Sequence, residues 1–291
     1  MIYRIGTRGS KLALTQTKWV CRKLQEQYPQ HQFEIVIVKT TGDQIQNKPL
    51  SQIGGKGIFV REIEEKLQKS EVDIGVHSMK DMPVLPAEAL IFTKAWKRED
   101  PRDVLILREA KSLQKLKEHA VIGTGSARRG SQLLALRPDL KIVDIRGNID
   151  TRIRKMEEEK LDGIVLAAAG LHRLGMREQI TQYLEYEQMI PSPAQGILAL
   201  EIRKEDTELQ KMLDALSDEE SEFSSVAERG VLQAFGGDCH TPLGAVCTKT
   251  DHGYCLRAVL GDPEGQHLRY AMTEGCDAQR MVTQVMEQLG E

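Results

Sequence analysis

Short apolar segments alternate with amphipathic ones over the first two thirds of the chain. Residues 33–38 (FEIVIV) and 72–77 (VDIGVH) have the length and the β-branched content of buried strands, and residues 91–96 indicate a third strand. Residues 11–27 and 57–69 instead place apolar side chains at helical spacing. Strands that alternate with helices predict α/β domains with mostly parallel sheets.

The same alternation continues in a second stretch of the chain. Strands are predicted at 104–107, 120–123, 141–145 and 163–168, and helices at 126–136 and 148–159. Two segments with proline flank this stretch, 99–103 (EDPRD) and 190–196 (IPSPAQG), and their composition is typical of hinges. The strand-like residues 197–202 (ILALEI) follow the second segment and are expected to rejoin the first sheet, which would leave a cleft between two domains.

The last part of the chain has a different order of elements. A helix at 221–234 is followed by strands at 244–248, 254–260 and 267–273 and by a helix at 277–289. Consecutive strands joined by short turns predict an antiparallel sheet in a small α+β domain. We therefore expect three domains, formed by residues 1–96 with 197–214, by 102–190 and by 219–291, with hinges near 97–101, 191–196 and 215–218.

Composition and charge narrow the classes of function. The formal net charge is −3, and a mildly acidic chain is not expected to bind nucleic acid in general, because such binding depends on phosphate neutralisation. No apolar run approaches the length of a membrane span, and the N-terminus lacks the pattern of a signal peptide. The five cysteines form no CxxC pair, so we expect no disulfide framework, no metal site and a cytoplasmic location.

Candidate chemistry begins in HSMKDMP (77–83), directly after a predicted strand. Ligands of α/β sheets collect at the carboxyl ends of strands. This position favours Lys80 as a partner for a carboxylate and Asp81 as a proton carrier or a stabiliser of positive charge. A polar loop with solvated charges is the alternative that the pattern alone leaves open.

A strand, a Gly-rich turn and a helix start follow one another in VIGTGSARRGS (121–131). Ser126 is expected to cap the helix, and the backbone N–H groups of its first turn favour an anion. Arg128 and Arg129 then lie where positive charge opposes the helix dipole, unless something anionic lies beside them. An ordinary capped helix with two surface arginines is the alternative.

Arginines recur at or just past the predicted strand ends. Besides the pair in that turn, Arg8, Arg146 and Arg173 occupy such positions, and Arg152 lies on the helix after Arg146. A guanidinium offers a carboxylate two hydrogen bonds in a fixed geometry. The recurrence therefore predicts a ligand with several carboxylates, bound by a local cluster of arginines in a chain that has no net positive charge.

One cysteine differs from the others in its surroundings. Cys239 lies in the turn FGGDCHTPLG (235–244), whose glycines would let the thiol project, whereas the other four cysteines lie in helix or strand patterns and are interpreted as structural. Asp238 beside it would hinder ionisation and His240 could assist it. A structural cysteine remains the alternative for this dipeptide taken alone.

Together these segments resemble the hydroxymethylbilane synthase (porphobilinogen deaminase) family. The motifs occur in the family's order along nearly the whole chain: TRGSKLAL, GGKGIFVRE, HSMKDMP, EDPRD, GTGSARR, IRGN followed by TR, AAAGLHRLG, PAQG and GGDCHTPLG. The resemblance implies two α/β domains like those of type II periplasmic binding proteins, with hinges, and a small C-terminal α+β domain with a three-stranded antiparallel sheet. It also implies an enzyme, expected to be a monomer, that condenses four porphobilinogen molecules into linear hydroxymethylbilane with release of ammonia.

The resemblance also implies roles for individual positions. The position matching Cys239 carries a dipyrromethane cofactor as a thioether, and the position matching Asp81 is the main catalytic carboxylate. The cofactor-binding positions are Lys80, Asp81, Thr124, Ser126, Arg128, Arg129, Arg146 and Gly147. The substrate-binding positions are Arg8, Ser10, Phe59, Arg152, Arg173 and Gln195. Residues 42–57 resemble a lid, and no metal is implied.

Two departures and two competing hypotheses accompany this resemblance. Asp238 and Gly125 stand where many members have a glycine and a hydroxyl residue, which affects the expected cofactor loading and one side-chain contact. A two-lobed receptor for a dicarboxylate fits the strands and the arginines equally well but gives no role to Cys239. A cysteine hydrolase that uses Cys239 and His240 lacks an evident oxyanion site.

Overall fold

The computed structural model describes residues 1–40, 60–236, 241–262 and 267–290. They fall into two compact units: Met1–Lys97 with Ile197–Asp218 form unit 1, and Arg98–Gly196 with Glu219–Glu291 form unit 2. None of the helices that the structure describes has the length and hydropathy needed to span a membrane.

The elements follow the predicted alternation along the chain. The first part contains β1 (Ile2–Arg8), α1 (Lys11–Gln27), β2 (Gln32–Val38), α2 (Arg61–Gln68), β3 (Ile74–Ser78) and β4 (Leu90–Phe92). The middle contains β5 (Asp103–Leu107), β6 (Val121–Gly123), α3 (Ala127–Leu136), β7 (Lys141–Val143), α4 (Ile149–Glu158), β8 (Gly163–Ala167), α5 (Ala168–Arg173) and β9 (Gln182–Leu184). The last part contains β10 (Leu198–Arg203), α6 (Thr207–Asp214), α7 (Glu219–Ala234), β11 (Leu243–Thr250), β12 (Gly253–Leu260), β13 (Arg269–Gly275) and α8 (Ala278–Gly290).

Unit 1 is built on a five-stranded mixed sheet with the order β2-β1-β3-β10-β4. The strands β2, β1 and β3 are parallel, whereas β10 runs antiparallel to both β3 and β4. The prediction that residues 197–202 rejoin the first sheet is therefore confirmed. Apolar side chains of the sheet and of the helices pack into two cores. One includes Ile5, Val20 and Leu24, and the other includes Ile63 and Leu67 of α2.

A second five-stranded sheet in unit 2 has the order β7-β6-β8-β5-β9. Here β7, β6 and β8 are parallel, and β5 runs antiparallel to β8 and β9. The sheet of unit 1 has the same order of strand directions. In each sheet three neighbouring parallel strands are followed by an antiparallel strand, β10 in unit 1 and β5 in unit 2. The carboxyl ends of β6, β7 and β8 consequently share one edge of the sheet.

The last strands of unit 2 form a three-stranded antiparallel sheet with the order β11-β12-β13. Helices α7 and α8 cover it with a core that includes Val231, Leu256, Ala258 and Val285, all nearly inaccessible to solvent. Two mixed α/β sheets of matching order and one small antiparallel sheet are the architecture that the resemblance implied. The predicted fold class is confirmed.

Candidate active site

The first group of predicted residues lies at one edge of the unit 1 sheet. Arg8 ends β1, and Lys80 and Asp81 lie in a single 3₁₀ turn directly after β3. Because β1 and β3 are adjacent and parallel, these side chains follow neighbouring strand ends. Ser10 caps α1 beside them, since its Oγ accepts a hydrogen bond from the Ala13 N–H at 3.2 Å. Two cationic side chains and one carboxylate therefore follow neighbouring strands at this edge of the unit 1 sheet.

The turn that carries Asp81 is fixed by its backbone. The Met79 side chain is 3% exposed, and its N–H donates to the Ile197 carbonyl at 3.0 Å, while the Met82 N–H donates to the Met79 carbonyl at 3.1 Å. Asp81 itself is exposed. The carboxylate is thus presented to solvent from a turn that is held on both sides, which suits a group that must meet a substrate in a defined position.

A buried pair behind this turn was not anticipated from the sequence. His77 Nε2 lies 3.3 Å from Glu201 Oε2, and the two side chains are 5% and 0% exposed. Gly75 provides the space, because a Cβ atom there would lie 2.8 Å from His77 Nε2. A single acidic residue within the apolar strand ILALEI was the one available signal, since carboxylates are rarely buried without a partner.

The turn after β6 in unit 2 is organised by its hydroxyl groups. Ser126 caps α3 as predicted, accepting from the Arg129 N–H at 3.4 Å, and Thr124 Oγ1 accepts from the Ser126 N–H at 3.2 Å. Thr124 is buried and its N–H donates to the Val143 carbonyl at 2.9 Å. We call residues 124–129 the anion loop. Its first helical turn offers backbone N–H groups and the positive end of the helix dipole.

The two arginines of the anion loop face a carboxylate of the chain itself. Asp103, at the start of β5, is completely buried, and its oxygens lie 2.8 Å from Arg128 Nη1 and 2.7 Å from Arg129 Nη2. Burial alone would raise the pKa of Asp103, but the two guanidinium groups hold it well below its ordinary value. The arginines are 4% and 5% exposed, so the alternative of two surface arginines is wrong.

Other predicted residues follow β7 at the same edge. Arg146 Nε donates to Asp144 Oδ2 at 2.8 Å, and Arg152 Nε donates to the Gly147 carbonyl at 2.8 Å. Gly147 has a φ of +122°, which favours glycine at this position. A Cβ atom at Gly125 would lie 2.6 Å from Asp144 Oδ1, at the end of a side chain that is 54% exposed.

Arg173 and Gln195 are tied to backbone carbonyls. Arg173 Nη2 donates to the Gly196 carbonyl at 2.7 Å, and burial lowers the pKa of Arg173 to about 10. Gln195 is fully buried, and its amide donates to the Pro101 carbonyl at 2.7 Å and to Asp103 at 3.0 Å. Both side chains therefore connect the segment before β10 to the body of unit 2.

Three predicted features lie outside the described residues: Cys239, Phe59 and the lid segment 42–57. Among the described cysteines, Cys247 and Cys255 are buried and Cys21 is half-buried, as expected of structural residues, whereas Cys276 is exposed. In the described part of the chain, no group of three or more His, Cys, Asp or Glu residues is placed to hold a metal ion.

In each of the two α/β sheets, cationic side chains follow the carboxyl ends of strands, as in proteins that bind carboxylate-bearing ligands there. Comparison with known proteins narrows this class. Residues 3–211 match the family model "Porphobilinogen deaminase, dipyromethane cofactor binding domain". The chain belongs to the porphobilinogen deaminase family.

Curated relatives match along almost the whole chain. Porphobilinogen deaminase of Lachnospira eligens is 53% identical over 294 residues, which cover 100% of this chain and 99% of the relative. That of Clostridioides difficile is 50% identical, with 93% of this chain and 90% of the relative covered. Among solved structures, the methionine binding protein MetQ overlays with a TM-score of 0.48 at 12% identity, covering 78% of this chain and 94% of that one.

The donor set of unit 2 fits the cofactor named in the family model. A dipyrromethane carries acetate and propionate groups, and carboxylates of this kind are bound by guanidinium groups and hydroxyls. Arg146 follows β7 and the hydroxyls of the anion loop follow β6 at one edge of the sheet, while Arg152 lies on α4 after β7 and Arg173 ends α5 after β8. The chemistry and the number of donors agree with a ligand that bears several carboxylates.

Proposed function

We propose that the protein is a hydroxymethylbilane synthase. It converts four porphobilinogen molecules and one water into hydroxymethylbilane and four molecules of ammonia, by head-to-tail condensation on a dipyrromethane primer. The observation that carries this proposal is the placement of Asp81 in a member of the porphobilinogen deaminase family, on a fixed turn at the same sheet edge as Arg8 and Lys80.

Binding of the pyrrole carboxylates is the role we assign to the cationic side chains. In unit 1 this role falls to Arg8, Ser10 and Lys80. In unit 2 it falls to Arg146, Arg152 and Arg173 and to the anion loop. Each charged hydrogen bond contributes about 1.5–3 kcal/mol. Every ring of the growing chain adds two carboxylates, so these cationic side chains suit a ligand of increasing negative charge.

The chemical step needs a group that handles both a proton and a positive charge. The amine of porphobilinogen must leave as ammonia, and positive charge develops on the pyrrole as the C–N bond breaks. We assign Asp81 to this step: its carboxyl group carries the proton, and its carboxylate stabilises the positive charge electrostatically. When bound, the dipyrromethane supplies the nucleophilic pyrrole carbon to which the first porphobilinogen is joined.

Further assignments belong to the same proposal. Cys239 is the thioether anchor, Gln195 and Phe59 contact substrate, and the segment 42–57 acts as a lid. The three domains are residues 1–96 with 197–214, 102–190 and 219–291. The enzyme works as a cytoplasmic monomer without nucleic acid. The free state of the four described cysteines supports the location, and the net charge of −3 supports the absence of nucleic-acid binding.

A turnover assay tests the proposal. Purified protein is incubated with porphobilinogen, and released ammonia is measured together with tetrapyrrole product. We expect four ammonia molecules per hydroxymethylbilane, and none with Cys239→Ser, which removes the proposed anchor. Binding of porphobilinogen without ammonia release would instead favour the two-lobed receptor.

A further inference from the structure

The buried cluster of Asp103, Arg128 and Arg129 has two positive charges and one negative charge. Two guanidinium groups, Arg128 and Arg129, share this single carboxylate. The side chains of Arg128, Arg129 and Asp103 are 5%, 7% and 0% exposed. Burial of an uncompensated charge is unfavourable, and the adjacent start of α3 adds the positive end of a helix dipole. The cluster as built therefore favours one additional anion.

The two arginines are held in different ways. Arg129 uses all three of its nitrogens within the chain: Nε and Nη2 donate to Asp103 at 3.0 and 2.7 Å, and Nη1 donates to the Val165 carbonyl at 3.1 Å. The contacts of Arg128 to Asp103 and to the Ile190 carbonyl, both at 2.8 Å, involve Nη1 alone. Arg129 is thus held at all three nitrogens, whereas Arg128 is held at one and keeps more donor capacity for a ligand.

Asp103 also joins the anion loop to the segment that precedes β10. Its Oδ1 accepts from the Gln195 amide at 3.0 Å as well as from Arg129. The Asp103 carboxylate, at the start of β5, thereby holds Arg129 of α3 and Gln195 of the 190–196 segment. Removing its charge would release both guanidinium groups and leave the Gln195 amide with a weaker acceptor.

We propose that Asp103 is a positioning residue of the anion loop: it locks Arg129 as a support, orients Arg128, and leaves the cluster one positive charge for a ligand carboxylate. This inference rests on the proposed function, because the carboxylate in question belongs to the pyrrole chain. It adds to the predicted role of Arg129, whose Nε and Nη2 are held by Asp103. Asp103 touches no reacting atom.

Unit 1 offers a matched control. Asp73 likewise lies between two arginines, with Oδ1 at 3.1 Å from both Arg4 Nη2 and Arg203 Nη2. Its position just before β3 places it at the opposite end of that strand from Lys80 and Asp81. Asp73→Asn therefore removes a carboxylate that two arginines share, in a more exposed setting, without affecting a proposed ligand-binding edge.

The test compares Asp103→Asn and Asp73→Asn with the wild type. Three quantities are measured: the midpoint of thermal unfolding, the fraction of purified protein that carries a dipyrromethane by intact mass, and the porphobilinogen concentration that half-loads the apo-protein. Both variants are expected to unfold at lower temperature. Only Asp103→Asn is expected to need more porphobilinogen for loading, by about tenfold, which corresponds to one charged hydrogen bond.

Loading of Asp103→Asn at the concentration that loads Asp73→Asn would overturn the proposal, because Asp103 would then be a structural ion pair only. If Asp103→Asn does not fold, Asp103→Glu keeps the charge but displaces the carboxylate. Weaker loading than in Asp73→Asn then supports the positioning role, and wild-type loading overturns it. A wild-type protein that never loads would instead contradict the proposed function, so the two failures are distinguishable.

Discussion

The Arg98 guanidinium and the Glu228 carboxylate form two hydrogen bonds, of 2.6 and 2.9 Å, although the residues are 130 positions apart. Glu228, on α7, is completely buried and also accepts from the Ala194 N–H at 2.6 Å and the Cys247 N–H at 2.7 Å. One carboxylate thus joins the start of unit 2, the segment before β10 and the C-terminal sheet.

Truncation of this carboxylate should be strongly destabilising. Glu228→Ala leaves the Arg98 charge buried without its partner and removes the acceptor of two backbone N–H groups, so we expect a loss of about 3–5 kcal/mol in the free energy of unfolding. Denaturant unfolding of Glu228→Ala and of the wild type measures this loss. Glu220→Ala, an exposed position on the same helix, serves as the control and should change stability by less than about 1 kcal/mol. Equal effects would contradict the role given to Glu228.

A substitution of Gly196 tests how closely the backbone at Gly196 approaches the backbone at Glu99. Its φ is +89°, and a Cβ atom there would lie 2.3 Å from the Glu99 carbonyl oxygen, a backbone atom. Gly196→Ala should therefore cost more than the strain of a positive φ alone, which is about 1 kcal/mol. Gly175→Ala provides that reference, because Gly175 has a φ of +69° and open space around it. Equal unfolding midpoints for the two variants would refute the close approach.

Acid should weaken the protein partly through Asp103. Its pKa in the folded state is held below the ordinary value, so the unfolded chain binds the proton more readily. The stabilisation is complete above the unfolded pKa of about 3.9 and is lost as the pH falls toward the folded value. In unfolding curves recorded between about pH 5 and pH 2, Asp103→Asn should lose less stability than the wild type. Parallel pH dependence of the two proteins would be incompatible with this account.

Asp81 should matter for turnover and not for folding. Because the side chain is exposed, Asp81→Asn is expected to leave the unfolding midpoint and the bound dipyrromethane unchanged. Loss of the proton carrier and of the negative charge should lower kcat by about 10²–10⁴-fold. Steady-state assays with porphobilinogen measure this. Turnover near the wild-type level would remove Asp81 from the mechanism.

Much of the fold follows from periodicity, because apolar spacing reports which face of a segment is buried. Helix α1 and the three strands of the C-terminal sheet were predicted to within a few residues, and β10 was correctly assigned to the first sheet. The direction of each strand in its sheet was harder to predict from the sequence. That β5 and β10 run antiparallel to their neighbours depends on where the chain enters each sheet, which spacing does not encode.

The buried charged residues could not be predicted from the sequence. Asp103 lies at the end of the polar segment EDPRD, which was predicted as a hinge, and it is fully buried against residues 25 and 26 positions later. Glu228 lies on a helix that begins with acidic, solvent-facing residues, and nothing local distinguishes it from them. Partners so distant in sequence are identified only by the tertiary structure.

The most direct test of the central claim is the mass of the peptide that contains Cys239 in the purified protein. The account predicts an adduct of two linked pyrroles on this residue, present as purified or formed on incubation with porphobilinogen. The Asp81→Asn protein should carry the same adduct. An unmodified Cys239 after incubation would contradict the assignment as a hydroxymethylbilane synthase.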